Sequence, residues 1–214
     1  NKYVSEAFKK KSSLVILNRF NKNYPLSKQI KVKNSLSFLT KCSSIFRENI
    51  NAKIISITGS CGKTTLKEMI GFTLKKISKT TYSPKSFNNK YGVPLSLFNL
   101  KEKDEFGVFE VGMDKKGEIN NLTKIIRPNL GIITNISYAH SKNFKNITQI
   151  ADAKSEMINN IKKGGTIILN MDDNFFNYHK KLALKEKLKI ISFSITNKFA
   201  MVKLVKIKKF KKKY

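Results

Sequence analysis

Arginine is almost missing from this chain: Arg19, Arg47 and Arg127 stand against forty lysines in 214 residues. Surfaces that read nucleic acid favour the planar, bidentate arginine fork, so the net charge of +29 reads as lysine-rich background rather than a recognition surface. Abundant asparagine and isoleucine point the same way, as A- and T-rich codons would produce. No specific nucleic-acid partner is expected, and a basic nucleic-acid-binding protein stands as the alternative of a different class. Cysteine is equally scarce. Cys42 and Cys61 lie far apart without partners at metal spacing, which argues against a disulfide framework or a zinc site. No apolar run approaches the roughly 18 residues that span a bilayer, and the opening NKYVSEAFKKK lacks the apolar core of a signal peptide. The expectation is a cytoplasmic, monomeric protein without membrane insertion.

What the chain does have is ITGSCGKTT at residues 57–65, directly after the β-branched run Lys53-Ile54-Ile55-Ser56-Ile57 and directly before a helical pattern. Strand, glycine turn and helix start together make a nucleotide phosphate cradle of Gly59, Ser60, Cys61, Gly62, Lys63, Thr64 and Thr65. Gly59 and Gly62 let the backbone approach a phosphate, and the helix start offers unpaired N–H groups and a positive dipole end. Lys63 supplies a point charge for the outer phosphates of ATP, and the Thr64 hydroxyl is a ligand for Mg²⁺. The standard GxxxxGK[ST] spacing needs a glycine at 57, where this chain has Ile57. Cys61 serves there as a small residue, with a reactive thiol as the alternative.

From residue 53 onward strand and helix patterns alternate. Strands are expected at 53–58, 80–82, 106–111, 130–136, 166–170 and 188–193, and helices at 64–77, 93–100, 118–126, 147–161 and 174–184. The fold class is therefore α/β: a mostly parallel sheet flanked by helices, with ligands at the carboxyl ends of the strands. Residues 1–50 read as part of a small α/β unit with short apolar runs at 13–17 and 30–32 and a helix capped by Asn34, so a boundary falls near residue 51. The tail 197–214 alternates apolar residues with lysine, as a half-exposed strand does.

The strand-end loops carry the remaining candidates. Glu110 emerges beside the phosphate loop, where a carboxylate is a natural second ligand for Mg²⁺. His140 closes the loop after 130–136 and reads as either a metal or phosphate contact or a structural histidine, whereas His179, on a polar helix, reads as structural.

Six blocks in one order, ITGSCGKTTLKEM, SFNNKYGVPLSLFNL, FEVGMDKKGEI, RPNLGIITNISYAH, ADAKSEM and ILNMDD, resemble the Mur ligases, whose phosphate loop is of the short TGxxGKTT kind. The second block resembles the branch that joins D-Ala-D-Ala to UDP-MurNAc-tripeptide, with another Mur-type ligase or folylpolyglutamate synthase as the nearest alternative. The resemblance implies a P-loop central domain, ATP and Mg²⁺ as cofactors, UDP-MurNAc-peptide and D-Ala-D-Ala as small-molecule substrates, and amide formation through an acyl phosphate. It implies catalytic roles for Lys63, His140 and Lys154, with Thr64, Glu110, His140 and a carbamylated Lys154 as metal ligands. Asn88 and Asn89 fall on the substrate side. Ser141, Lys142 and Asn143 follow His140 where the family usually has a Leu-Glu pair. It further implies that residues 1–50 are the remnant of a UDP-substrate domain, that 51–214 are an incomplete central domain, and that the isolated chain does not ligate.

Overall fold

The computed structural model describes residues 3–138 and 143–206. The chain opens with α1 (Val4–Lys9), β1 (Val15–Leu17), β2 (Gln29–Lys31) and α2 (Ser35–Glu48). It continues as β3 (Lys53–Thr58), α3 (Lys63–Ile77), β4 (Thr80–Tyr82), α4 (Gly92–Leu97), β5 (Phe106–Glu110) and α5 (Glu118–Ile126). The last elements are β6 (Leu130–Ile133), α6 (Ile147–Ser155), β7 (Thr166–Asn170), α7 (Phe176–Lys185), β8 (Lys189–Ser194) and β9 (Val202–Lys203).

β1 and β2 pair in parallel as a separate two-stranded sheet, and the rest form one sheet in the order β4-β5-β3-β6-β7-β8-β9, parallel at every pairing. The central strands KIISIT, FGVFE, LGII and TIILN are nearly continuous apolar runs, because helices cover both of their faces. On one face Ile57, Val108 and Ile132, from three adjacent strands, pack under Leu66, Ile70 and Leu74 of α3. On the other, Ile54, Phe109, Ile133 and Ile167 pack against residues such as Ile119, Ile126, Ile150 and Met157.

From β3 the chain runs out to β4 and back to β5 on one side, then crosses to β6 on the other. β3 is thus the topological switch point, where doubly wound sheets open a crevice at the strand ends. Ile57 pairs with Glu110 and Thr58 with Ile133, so the turn after β3 emerges between the ends of β5 and β6.

α2 starts as expected, with Asn34 Oδ1 accepting from Ser37 N at 2.9 Å, and packs on α4 and α5. Its end is fastened by Arg47, only 2% exposed, whose guanidinium donates to the carbonyls of Ile126 at 2.9 Å, Ile50 at 2.6 Å and Ala52 at 3.4 Å. One arginine thus ties α2 to the end of α5 and to the entry of β3.

Two expected elements end early, and α1 stands where no element was expected. The strand expected over 130–136 stops at Ile133, because Thr134 and Asn135 turn onto the phosphate loop. The helix expected over 147–161 stops at Ser155 and tightens into a 3-10 turn at Ile158–Asn160. α1 carries one buried residue, Val4, so its sequence shows little apolar periodicity. In the tail, Val202–Lys203 pairs with β8, while residues 207–214 lie outside the described residues.

Candidate active site

The turn after β3 is shaped by two glycines with positive φ. Gly59 has φ of +145°, and a Cβ added there would lie 1.8 Å from Thr134 Oγ1, so no larger residue fits. Gly62, with φ of +80°, precedes the first residue of α3, and no side chain caps that helix start. An uncapped N-terminus of a fifteen-residue helix presents free N–H groups and a positive dipole end to an anion.

The loop is held from the β6 side. Ser60 N donates to Asn135 O at 2.9 Å, Cys61 N to Asn135 Oδ1 at 3.1 Å, and Thr134 Oγ1 to Cys61 O at 2.7 Å. The Ser60 hydroxyl donates to Ser137 O at 2.9 Å and accepts from Ser137 N at 2.8 Å, so it secures a neighbouring loop. Asp173, in the turn after β7, accepts from Ile136 N at 2.7 Å and fixes the same loop from the other side. Residue types and spacing assign Thr134, Asn135 and Asp173 no role, although all three lie in the RPNLGIITNISYAH and ILNMDD blocks.

Lys63 Nζ folds back to Gly59 O at 2.9 Å and Ser60 O at 3.2 Å, and Lys154 Nζ reaches the same Gly59 O at 2.9 Å. Lys154 is 2% exposed, and its burial, followed by the neighbouring Lys63 charge, lowers its pKa to about 7. Burial thus favours its neutral amine. Nothing in its spacing selects Lys154 among forty lysines; burial and the shared carbonyl do.

Glu110 is 1% exposed at the end of β5. Its Oε2 accepts from Thr64 Oγ1 at 2.7 Å and its Oε1 from Asn88 Nδ2 at 2.7 Å. Asn88 in turn presses on Gly112, where a Cβ would meet its Cγ at 2.9 Å. Asn89 turns the other way: its Oδ1 accepts from Tyr91 N at 3.0 Å and Gly92 N at 2.9 Å, tying down the turn into α4. Thr65 lies exposed in the first turn of α3, and Cys61 is an exposed free thiol. A cleft of about 550 Å³ opens beside these groups, lined by Lys63, Lys154, Asn88, Asn89, Met113 and Leu122 among others.

The sequence-derived residues thus converge, with two qualifications: Asn89 lines the cleft through a capping role, and His140 lies outside the described residues. His179, 2% exposed, packs with Nε2 at 3.4 Å from Ala151 O, and burial lowers its pKa. Among the described residues no cluster of three or more His, Cys, Asp or Glu side chains forms a metal cage, and no helix is long and apolar enough to cross a membrane. The Thr64–Glu110 pair is a hard-oxygen set. That suits Mg²⁺, which takes one or two protein oxygens and completes its shell with water and substrate phosphates.

Known proteins resemble this chain in sequence and in fold. The Mur ligase middle domain matches residues 57–214. The chain is 37% identical over 195 residues to a "UDP-N-acetylmuramoyl-tripeptide--D-alanyl-D-alanine ligase" of Buchnera aphidicola subsp. Baizongia pistaciae (strain Bp), covering 90% of this chain and 42% of that relative. Among solved structures, MurF from Acinetobacter baumannii aligns with a TM-score of 0.83 at 30% identity, over 94% of this chain and 43% of that one. MurF ligase from Thermotoga maritima in complex with ADP aligns with a TM-score of 0.77 at 25% identity, over 92% and 44%. The chain spans less than half the length of each of these relatives. The matched region begins at the end of β3 and takes in every strand-end loop that meets the phosphate turn, and the chain belongs to the Mur ligase family through its middle domain.

Proposed function

We propose that this chain supplies the ATP-binding part of a cytoplasmic ligase that joins D-Ala-D-Ala to UDP-MurNAc-tripeptide in peptidoglycan precursor synthesis. The observation that carries the reading is the convergence of Lys63 and Lys154 on Gly59 O beside the Thr64–Glu110 pair. Cationic and hard-oxygen groups there face an uncapped helix start, as phosphoryl transfer requires. The likeness to a MurF ligase in complex with ADP supports the nucleotide, and the relatives' names support the substrates.

In the reaction a terminal carboxylate oxygen attacks the γ-phosphorus of ATP and ADP leaves, giving an acyl phosphate. The amine of D-Ala-D-Ala then attacks the acyl carbon, phosphate departs with that oxygen, and the nitrogen loses a proton. No covalent enzyme nucleophile is needed, so the residues act by position and charge. Lys63 would leave its backbone carbonyls to hold the β- and γ-phosphates. Thr64 and Glu110 would hold Mg²⁺, with Asn88 fixing the carboxylate's orientation. Bound Mg²⁺ would neutralise phosphate charge and draw the oxygens into line. Asn88 and Asn89 would border the substrate side of the cleft, and His140 would contribute a second metal ligand.

Lys154 would act as a carbamate. Its free amine adds to CO₂ with loss of one proton, turning a buried cation into a carboxylate-like anion. The lowered pKa supports this, because only the neutral amine reacts. The decisive experiment supplies ATP, UDP-MurNAc-tripeptide and D-Ala-D-Ala to a polypeptide of its relatives' length that carries these residues. Mass spectrometry should find the ligated pentapeptide product, and Lys63→Ala should reduce its rate at least about 100-fold, as loss of a preorganised charge does. Undiminished product in Lys63→Ala would sink the assignment.

A further inference from the structure

Lys67, one turn beyond Lys63 on α3, is among the largest wholly buried side chains of the molecule. A lysine at that depth is tolerable only when its ammonium donors find acceptors. Nζ donates to Ser83 O at 2.7 Å and Lys85 O at 2.5 Å, and it pairs with the Glu68 carboxylate at 2.7 Å. Two of these three acceptors belong to the connection between β4 and α4, residues 83–91. That same connection brings Ser86 Oγ to 3.4 Å from Thr64 Oγ1 and Asn88 Nδ2 to 2.7 Å from Glu110 Oε1.

The connection does not take this course freely. Lys85 has φ of +46°, a left-handed conformation that residues other than glycine seldom adopt, and its carbonyl is one of the two that Lys67 grips. The ammonium therefore holds a strained turn immediately before Ser86 and three residues before Asn88. Lys67 does not line the cleft, and its side-chain donors go to Ser83, Lys85 and Glu68 rather than to Glu110.

We propose that Lys67 is a positioning residue. By fixing the carbonyls of Ser83 and Lys85 it sets the segment that carries Asn88, and through Asn88 it orients Glu110 toward the Mg²⁺ of a nucleotide. The metal step rests on the ATP reading given above; the hold on residues 83–91 does not. A purely stabilising lysine would loosen the whole sheet when replaced, whereas a positioning lysine loosens one segment and one ligand contact.

The test compares the 214-residue chain with Lys67→Met, Lys67→Gln, Asn88→Ala and Lys67→Met/Asn88→Ala by amide hydrogen exchange and by calorimetric titration of ADP, with Mg²⁺ and with chelator. Lys67→Met should raise exchange across 83–91 about tenfold, the size of losing a charged hydrogen bond, and leave β3, β5 and β6 unchanged. The gain in ADP affinity conferred by Mg²⁺ should fall about tenfold, while affinity in chelator changes less than about twofold. Lys67→Gln, which retains an amide donor and guards against misfolding of the first variant, should fall between. The double variant should lose no more than Asn88→Ala alone, as expected for residues acting in one chain of contacts. Unchanged exchange in 83–91, or a rise shared equally by the sheet, overturns the proposal. Absence of any Mg²⁺ gain in the unaltered chain counts instead against the ATP reading, and the exchange comparison still decides the role of Lys67.

Discussion

Gly59→Ala isolates the geometry on which the phosphate loop depends. The added methyl would sit 1.8 Å from Thr134 Oγ1 and 3.0 Å from both Thr134 Cβ and Thr134 N, on a residue with φ of +145°. The first contact is roughly 1.5 Å short of van der Waals separation, so either Thr134 or the turn must move. Thr134 Oγ1 holds Cys61 O and Thr134 N holds Thr58 O, so movement there also releases the far side of the loop. Backbone strain of about 1–3 kcal/mol and overpacking of about 1–3 kcal/mol give an expected loss near 4 kcal/mol. For a domain of this size that lowers Tm by on the order of 10 °C. Urea unfolding followed by circular dichroism reads the loss directly. Gly59→Ala/Thr134→Ala should recover only part of it, because removing the hydroxyl relieves the overlap and leaves the φ strain. A Gly59→Ala midpoint equal to that of the unaltered chain, or full recovery in the double variant, would refute this account of the turn.

Two further outcomes follow from buried groups away from the phosphate turn. Arg47→Met keeps the side chain's bulk and leaves three carbonyls without their donor, so it should destabilise the chain by about 2–4 kcal/mol in urea titrations. Burial lowers the pKa of His179 against opposing effects of the Ala151 carbonyl, Asp173 and Asp152, so the unfolded chain takes up this proton more readily than the folded one. Stability from this group is complete above its unfolded pKa near 6.5 and is lost as pH falls from there toward the folded value, by at most about 1.4 kcal/mol per pH unit. Urea midpoints at pH 7.5 and 5.5 should separate, and His179→Phe should narrow the gap.

The legible parts of the fold were those with unambiguous local chemistry. A β-branched run, two glycines and a lysine before a helical pattern announced the phosphate turn, and Glu110 was readable from its place at the end of an apolar strand. The end of β6 was not readable, since LGIITNI suits a strand throughout and only the side-chain bonds of Thr134 and Asn135 to the next loop divert it. Arg47, Lys67 and Lys154 escaped residue-level reading for one reason: charged residues are ordinarily solvated, and their burial depends on carbonyls brought from distant elements. Resemblance to a family singled out Lys154, and the geometry adds its depth and its partner. The separateness of residues 1–50 rested on a polar joint near residue 51, yet Arg47 ties α2 firmly across that joint.

On the proposed function, the terminal carboxylate of UDP-MurNAc-tripeptide is activated by phosphoryl transfer at this loop. The most direct measurement of that step uses UDP-MurNAc-tripeptide labelled with ¹⁸O in the terminal carboxylate, with ATP, Mg²⁺ and D-Ala-D-Ala, in a polypeptide of the relatives' length carrying these residues. The acyl phosphate route leaves one labelled oxygen in each phosphate released alongside ligated product. Product formation with phosphate free of label would contradict it.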